Sequence, residues 1–545
     1  MRRLPLALVL ALGLALLAAC QQPAPPATST TPAPPAAARR GESPPAFAFE
    51  EATIAELQQK MQSGALTSHA LVQAYLDRIK AVDNAGPALN AVIELNPDAL
   101  KDADALDAER KAGKVRGPLH GIPVLLKDNI DATPMVNSAG SLALADNRPA
   151  VDAFLVARLR AAGAVILGKT NLSEWANFRS SRATSGWSGR GGQTRSPYAL
   201  DRNPCGSSSG TGTAIAANLA TLGIGTETDG SIICPSAVAG LVGIKPTVGL
   251  VSRSGIIPIS ISQDTAGPMT RSVADAAALL TVIAAPDASD PAASERADAT
   301  PIDYTAHLKP DALRGARIGV VRKLMGYHPD TDAAMERAIT ALKREGATVV
   351  DVEIPTLGQW DDDEYRVLLY EFKDGLNRYL ATAGATHKSL ADLIAFNDAN
   401  AAQEMPSFGQ ETFVMANAMG PLTEPAYLAA RDRVRRLAGP QGIDAALRSQ
   451  QLDALIAPAM SPAWVTDPVD GDHFIGAGYG PAAAARYPSL TVPMGMIHGL
   501  PVGLVFLGPA WSEPRLIELG YAFEQVTRAR QPPRFLRTVA VTAPE

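Results

Sequence analysis

The chain has 545 residues, 46% of them hydrophobic, 19% charged and 5% aromatic. That is enough apolar material for a large core, and it excludes both a disordered chain and a polytopic membrane protein. A net charge of −6 with no dense Lys/Arg run leaves nothing to hold a phosphate backbone, which argues against a nucleic-acid partner.

The N-terminus carries the first specific signal. Arg2 and Arg3 precede an apolar run over residues 4–19, which closes on Leu17-Ala18-Ala19-Cys20. A basic start, an apolar stretch and small residues before a cut make a secretory signal. The run is interrupted by Pro5 and is shorter than the roughly 20 residues that span a bilayer. Its ending resembles the bacterial lipobox, which implies a signal peptide over 1–19 and a lipid on Cys20. Gln21 rather than aspartate after that cysteine points to the outer membrane where the host has one. Residues 20–46 are rich in Pro and Ala, with eight prolines between 21 and 45. They bury too little to fold and read as an extended tether. The expected location is the periplasmic side of the membrane, with the lipid anchor as the sole membrane contact. With Cys20 acylated, only Cys205 and Cys234 remain, and the expectation for them is two small buried thiols, pairing being the alternative.

The folded part starts near Phe47. Ile54, Leu57 and Met61 share one helical face, and Thr67 or Ser68 can cap a second helix carrying Leu71, Tyr75 and Ile79. Strand patterns follow at 122–126, 164–167, 318–321 and 349–354, with a helix through Met335, Ala338, Ile339 and Leu342 between the last two. Further strands are expected at 490–492 and 502–507. The order reads as α/β, a sheet covered by helices. Residues 360–439 look helical and carry no recognisable chemistry, as a lid or wall of a site would.

Two motifs match by letter and fail on physics. Gly163 to Thr170 fits the phosphate-binding G-x-x-x-x-G-K-T pattern, but its inner residues Ala-Val-Ile-Leu are a strand where a flexible loop is needed. Gly206-Ser207-Ser208-Ser209-Gly210 fits G-x-S-x-G, yet polar residues 201–205 with Pro204 precede it, so no central strand feeds the turn. The seven histidines stand apart from any motif; His120 reads as support for the strand beginning at 122. No H-x-x-x-H or C-x-x-C occurs, so no metal is expected.

Three segments remain. Lys127 ends the apolar run 122–126, where burial would lower its pKa and make it a base; taken alone, a pairing with Asp128 explains it as well. The Ser/Gly cluster 206–210 permits unusual backbone geometry, though a flexible loop has the same composition. Ser231 follows the glycine-rich stretch 223–230, read as a turn, and precedes an apolar run able to open a helix. Free N–H groups there can converge on an oxyanion; a capping serine would look alike.

Together, Lys127-Asp128, Gly206-Ser207-Ser208 and Gly230-Ser231-Ile232 resemble the amidase signature family. Gly168-Lys169-Thr170-Asn171-Leu172-Ser173-Glu174, Val242-Gly243-Ile244-Lys245-Pro246-Thr247 and Asp264-Thr265-Ala266-Gly267-Pro268-Met269 extend the likeness from about residue 50 to 530. Within the family the bacterial peptide amidases look most similar, on Ser173 to Phe178, Gly191 to Arg195, Cys205-Gly206 and Asp229-Gly230. Most members have Gly-Gly-Ser where this chain has Asp229-Gly230-Ser231.

The resemblance implies one α/β/α domain over 47–535, a mixed central sheet with helices on both faces, and a tail over 536–545. It implies Ser231 as nucleophile, Ser207 in a cis peptide as proton relay, Lys127 as base, and an oxyanion hole from Thr228, Asp229, Gly230 and Ser231. The substrate implied is a C-terminally amidated peptide or other small amide, hydrolysed by a monomer without metal or organic cofactor. The alternatives are a broad amidase for aryl, aliphatic or fatty acyl amides, a subunit of a transfer-RNA amidotransferase, disfavoured by the export signal, and a lipid-anchored binding protein without catalysis.

Overall fold

Thr53 and Thr67 open the first two helices. Thr53 accepts from Glu56 N–H while the Glu56 carboxylate takes the Thr53 N–H, a closed capping box before the helix Ile54–Gln62. Of the two candidates for the second cap it is Thr67 that accepts, from Ala70 N–H, ahead of the helix Ser68–Arg78. Both helices bury the predicted faces, Ile54, Leu57 and Met61 on the first and Leu71 and Tyr75 on the second. The computed structural model describes residues 46–539 apart from Ala297 and Ala299. The expected signal peptide, Cys20, the expected tether up to residue 45 and residues 540–545 of the expected tail lie outside the described residues.

The strands, in chain order, are β1 Val92–Leu95, β2 Pro123–Lys127, β3 Val165–Thr170, β4 Trp187–Ser188, β5 Gly192–Gln193, β6 Leu222–Glu227, β7 Val242–Lys245, β8 Thr265–Thr270, β9 Arg317–Val320, β10 Thr348–Asp351, β11 Ala454–Pro458, β12 Ser489–Ile497 and β13 Leu500–Leu507. Eleven form one sheet in the order β1-β3-β2-β6-β8-β7-β12-β13-β11-β9-β10, and β4 with β5 makes a separate ribbon. The sheet is mixed. β3, β2 and β6 run parallel, as do β11, β9 and β10, while the strands between them are antiparallel. Every residue of β2, β6, β8 and β13 is buried, as strands covered on both faces require. One continuous apolar cluster runs from Ala52 to Phe523, so this is a single large domain rather than the several that length allows.

Each strand expected from the sequence forms, with bounds within about three residues except β12, which runs five residues past the expected 492. One segment departs from the reading given above: the stretch beginning at Gly223 is not a turn. Residues 222–227 are the buried strand β6, and only 228–231 turn. Gly223 and Gly225 are there for contact. A Cβ at Gly223 would stand 2.6 Å from Thr211 and 2.8 Å from Ile215, and one at Gly225 would stand 2.6 Å from Met269 Sδ. The helix Ser209–Ala216 thus lies directly on the strand.

Residues 361–438 are helical as expected, from Asp361–Thr382 through Pro425–Ala438. They build a second apolar cluster around Phe372, Leu376, Leu390 and Phe413, closed against Trp175 and Ile257. The cysteines correct the expectation of free thiols. Cys205 and Cys234 form a disulfide with Cα atoms 6.0 Å apart, because the loop before Ser207 and the helix after Ser231 are brought side by side.

Candidate active site

Three elements place the three residues. Lys127 is the last residue of β2, fully buried. Ser207 lies in the loop before the helix Ser209–Ala216, joined to Gly206 by a cis peptide bond. Ser231 ends the turn that leaves β6. Since β2 and β6 are parallel neighbours, their C-terminal ends meet, and residues 80 and 24 positions apart come into contact. Lys127 Nζ lies 2.7 Å from Ser207 Oγ, and Ser207 Oγ–H donates to Ser231 Oγ at 3.0 Å. Lys127 also donates to the Thr226 carbonyl at 3.2 Å and to Thr226 Oγ1 at 2.9 Å.

Charge at this lysine is set by burial. Desolvation lowers its pKa from the usual lysine range to about 7, opposed in part by Asp264 and Glu227. The alternative pairing of Lys127 with Asp128 does not occur. Asp128 turns away, accepts from the Ser138 hydroxyl and pairs with buried Lys169 at 3.2 Å. That ion pair also accounts for the phosphate-loop decoy, since Gly168-Lys169-Thr170 is the end of strand β3. His120 is buried, with its Nε2 3.0 Å from the Leu106 carbonyl, in the supporting position expected of it.

The turn 228–231 leaves its donors free. The N–H groups of Thr228, Asp229, Gly230 and Ser231 donate to no acceptor among the described residues. Glu227 fixes the next residues instead, its Oε2 accepting from Ile232 N–H at 2.7 Å and Ile233 N–H at 2.9 Å. Thr228 is held by its hydroxyl, which donates to Asp264 at 2.6 Å. Burial lifts the Asp264 carboxyl to about 6, against hydrogen bonds from Thr228, Ser260 and Ile259 that lower it.

A cavity of about 660 Å³ opens onto these groups. Ser207, Ser231 and Thr228 line it on one side, Ile257 and Ile259 on another, and Tyr379 and Tyr427 of the helical segment close it. The segment 361–438 is thus a wall of the site. Asp229 and Gly230 do not line this cavity. Sequence reasoning missed Thr226, Asn129, Glu227 and Asp264. Asp264 opens a quoted motif, Thr226 and Glu227 fall in the stretch 223–230 and Asn129 directly follows Lys127-Asp128, but nothing local says which of these side chains turns inward.

A family model described as Amidase matches residues 70–517. This chain is an amidase signature protein. An Arabidopsis thaliana protein named Probable amidase is 41% identical over 502 residues, covering 90% of this chain and 93% of that one. The native peptide amidase from Stenotrophomonas maltophilia is 60% identical, with a TM-score of 0.87, over 90% of this chain and all of that one. A peptide amidase in complex with the competitive inhibitor chymostatin is similarly related, at 60% identity and a TM-score of 0.88, over 89% of this chain and 100% of the other. The amidase signature fold accounts for the eleven-stranded mixed sheet, and membership makes the chain a hydrolase acting on amides.

Proposed function

We propose that this amidase removes the C-terminal carboxamide of peptides through an acyl-enzyme on Ser231, with Ser207 as proton relay and Lys127 as base. The observation that carries the proposal is the continuous contact from Lys127 Nζ to Ser207 Oγ to Ser231 Oγ, at 2.7 and 3.0 Å, beside a turn whose N–H groups are free. A lysine with its pKa near 7 is neutral often enough at physiological pH to accept a proton.

Ser231 Oγ attacks the amide carbon as its proton passes to Ser207 and that of Ser207 to Lys127. The negative charge on the carbonyl oxygen is met by N–H groups of Thr228, Asp229, Gly230 and Ser231. Protonated Lys127 returns its proton through Ser207 to the nitrogen, the C–N bond breaks and ammonia leaves. Water, deprotonated along the same path, cleaves the ester and restores Ser231. The chemistry calls for no metal or organic cofactor. The choice of a peptide amide rests on the 60% identity to peptide amidases; a broad amidase would use the same machinery. The domain limits 47–535, export and a lipid on Cys20 belong to the same proposal, on the N-terminal pattern alone.

Mass spectrometry of a C-terminally amidated peptide tests it, with Ser231→Ala as control. The expected result is a gain of about one mass unit at the C-terminus only, absent in the control. Ammonia from simple amides without change in the peptide would move the function to a broad amidase. No turnover of any amide, with tight binding of one, would make the chain a binding protein.

A further inference from the structure

Two buried side-chain oxygens of cavity-lining residues have no partner among the described residues, Glu227 Oε1 and Asn129 Oδ1. The Glu227 carboxylate is already engaged through Oε2 with Ile232 and Ile233 N–H, whereas the Asn129 oxygen has no use in the mechanism above. Asn129 follows Lys127 and Asp128 just beyond β2 and is 4% exposed. Its Nδ2–H donates to Thr226 Oγ1 at 3.0 Å, the oxygen that also accepts from Lys127 at 2.9 Å. Its main-chain carbonyl accepts from Ile257 N–H at 2.8 Å. Main chain and amide nitrogen are therefore both fixed, yet Oδ1 is buried without a hydrogen-bond partner. Gln263 Oε1 is likewise unpartnered, but Gln263 does not line the cavity, whereas Asn129 does, together with Ser207 and Ser231. A buried amide oxygen without a donor is rare and costly. At a cavity wall it fits a donor that arrives with the substrate.

The geometry points to Asn129 Oδ1 as the acceptor for one N–H of the substrate's carboxamide nitrogen, which makes Asn129 the residue that distinguishes amides from esters. The inference rests on the proposed role of Ser207. If Ser207 returns the proton to the leaving nitrogen, that nitrogen lies on the Ser207 side of Ser231, where Lys127, Thr226 and Asn129 follow one another by hydrogen bonds. The carbonyl oxygen is turned to the 228–231 turn. Holding one N–H at Oδ1 fixes rotation about the C–N bond, so that the nitrogen lone pair can face Ser207 Oγ–H when the bond breaks. A primary carboxamide has two N–H groups and satisfies this acceptor. An ester oxygen has none and leaves it unpaired, which is the kind of mismatch that discriminates strongly between substrates.

The test compares Asn129→Ala with wild type on a peptide amide and the methyl ester of the same peptide. Active sites are counted with a fluorophosphonate, so that kcat/KM refers to folded enzyme; Asn129→Ser serves where the alanine variant gives no titratable sites. The expected result is a loss on the order of 10- to 100-fold on the amide. The ester should change by less than about threefold, with its pH profile unmoved. Equal losses on amide and ester, or a displaced pH profile, would make Asn129 a prop for Thr226 and Lys127 and overturn the assignment. So would an unchanged amide rate. Wild type that cleaves neither substrate would instead sink the reading of Ser231, Ser207 and Lys127, and this assignment with it.

Discussion

At the scale of single residues, the proposed mechanism depends on keeping a lysine neutral inside the protein. Burial brings Lys127 to about 7, and only its unprotonated form can take the Ser207 proton. Activity should therefore rise with pH through a limb near 7 and fall about tenfold per unit well below it. Asp264 opposes the shift by favouring the charged lysine. Asp264→Asn should lower the lysine pKa further and move the limb to lower pH. A pH profile of kcat/KM decides it, and a limb that stays put or moves up would contradict the assignment. Ser207→Ala and Lys127→Ala should each cost about 10²- to 10⁴-fold in kcat, the range for losing a positioned proton carrier. Steady-state kinetics on one amide would show it.

At the scale of elements, two short connections carry the proposed chemistry, and each is held from outside. The turn 228–231 has Gly230 at φ +81°, and a Cβ there would come within 2.3 Å of the Tyr479 ring. Gly230→Ala combines a left-handed backbone with that clash. It should abolish fluorophosphonate labelling of Ser231 while leaving far-UV circular dichroism unchanged. The disulfide ties both connections, since Cys205 stands two residues before Ser207 and Cys234 three after Ser231. Its loss should remove about 2–4 kcal/mol of stability. Thermal melts of Cys205→Ala/Cys234→Ala beside oxidised and reduced wild type check this, and kcat should fall in step because both serines lose a common tether. Much at this scale was legible in the sequence. The Thr67 cap, the apolar run into Lys127 and the helix before Thr348–Asp351 are local patterns. Strand β6 was not legible, because Gly223 and Gly225 look like turn residues until the helix packed on them is known.

At the scale of the whole molecule, a wide sheet sets the site at the adjoining ends of β2 and β6, and the segment 361–438 covers it. That cover has its own core, with Phe372 fully buried between Phe178 and Phe413. Phe372→Ala should cost about 3–5 kcal/mol and loosen the wall that carries Tyr379. A denaturant titration should show the loss, and KM for a peptide amide should rise more than kcat falls. Disulfide formation fits the proposed export, since such bonds persist in oxidising compartments. Intact mass of the mature protein tests the anchor, and an unmodified Cys20 would rule it out.

The sequence by itself determined what is local and what is shared with a family. Apolar periodicity gave strands and helices, and the motifs around Lys127, Ser207 and Ser231 gave the family, with the proposed chemistry and the proposed export resting on resemblance. Tertiary structure alone decided what depends on meeting across the chain. It paired Cys205 with Cys234, sent Asp128 to Lys169 rather than to Lys127, and left Asn129 Oδ1 without a partner at the cavity wall. The physical reason is range: periodicity and capping act over a few residues, whereas a buried hydrogen bond or disulfide is fixed by strand order and packing between segments tens of residues apart.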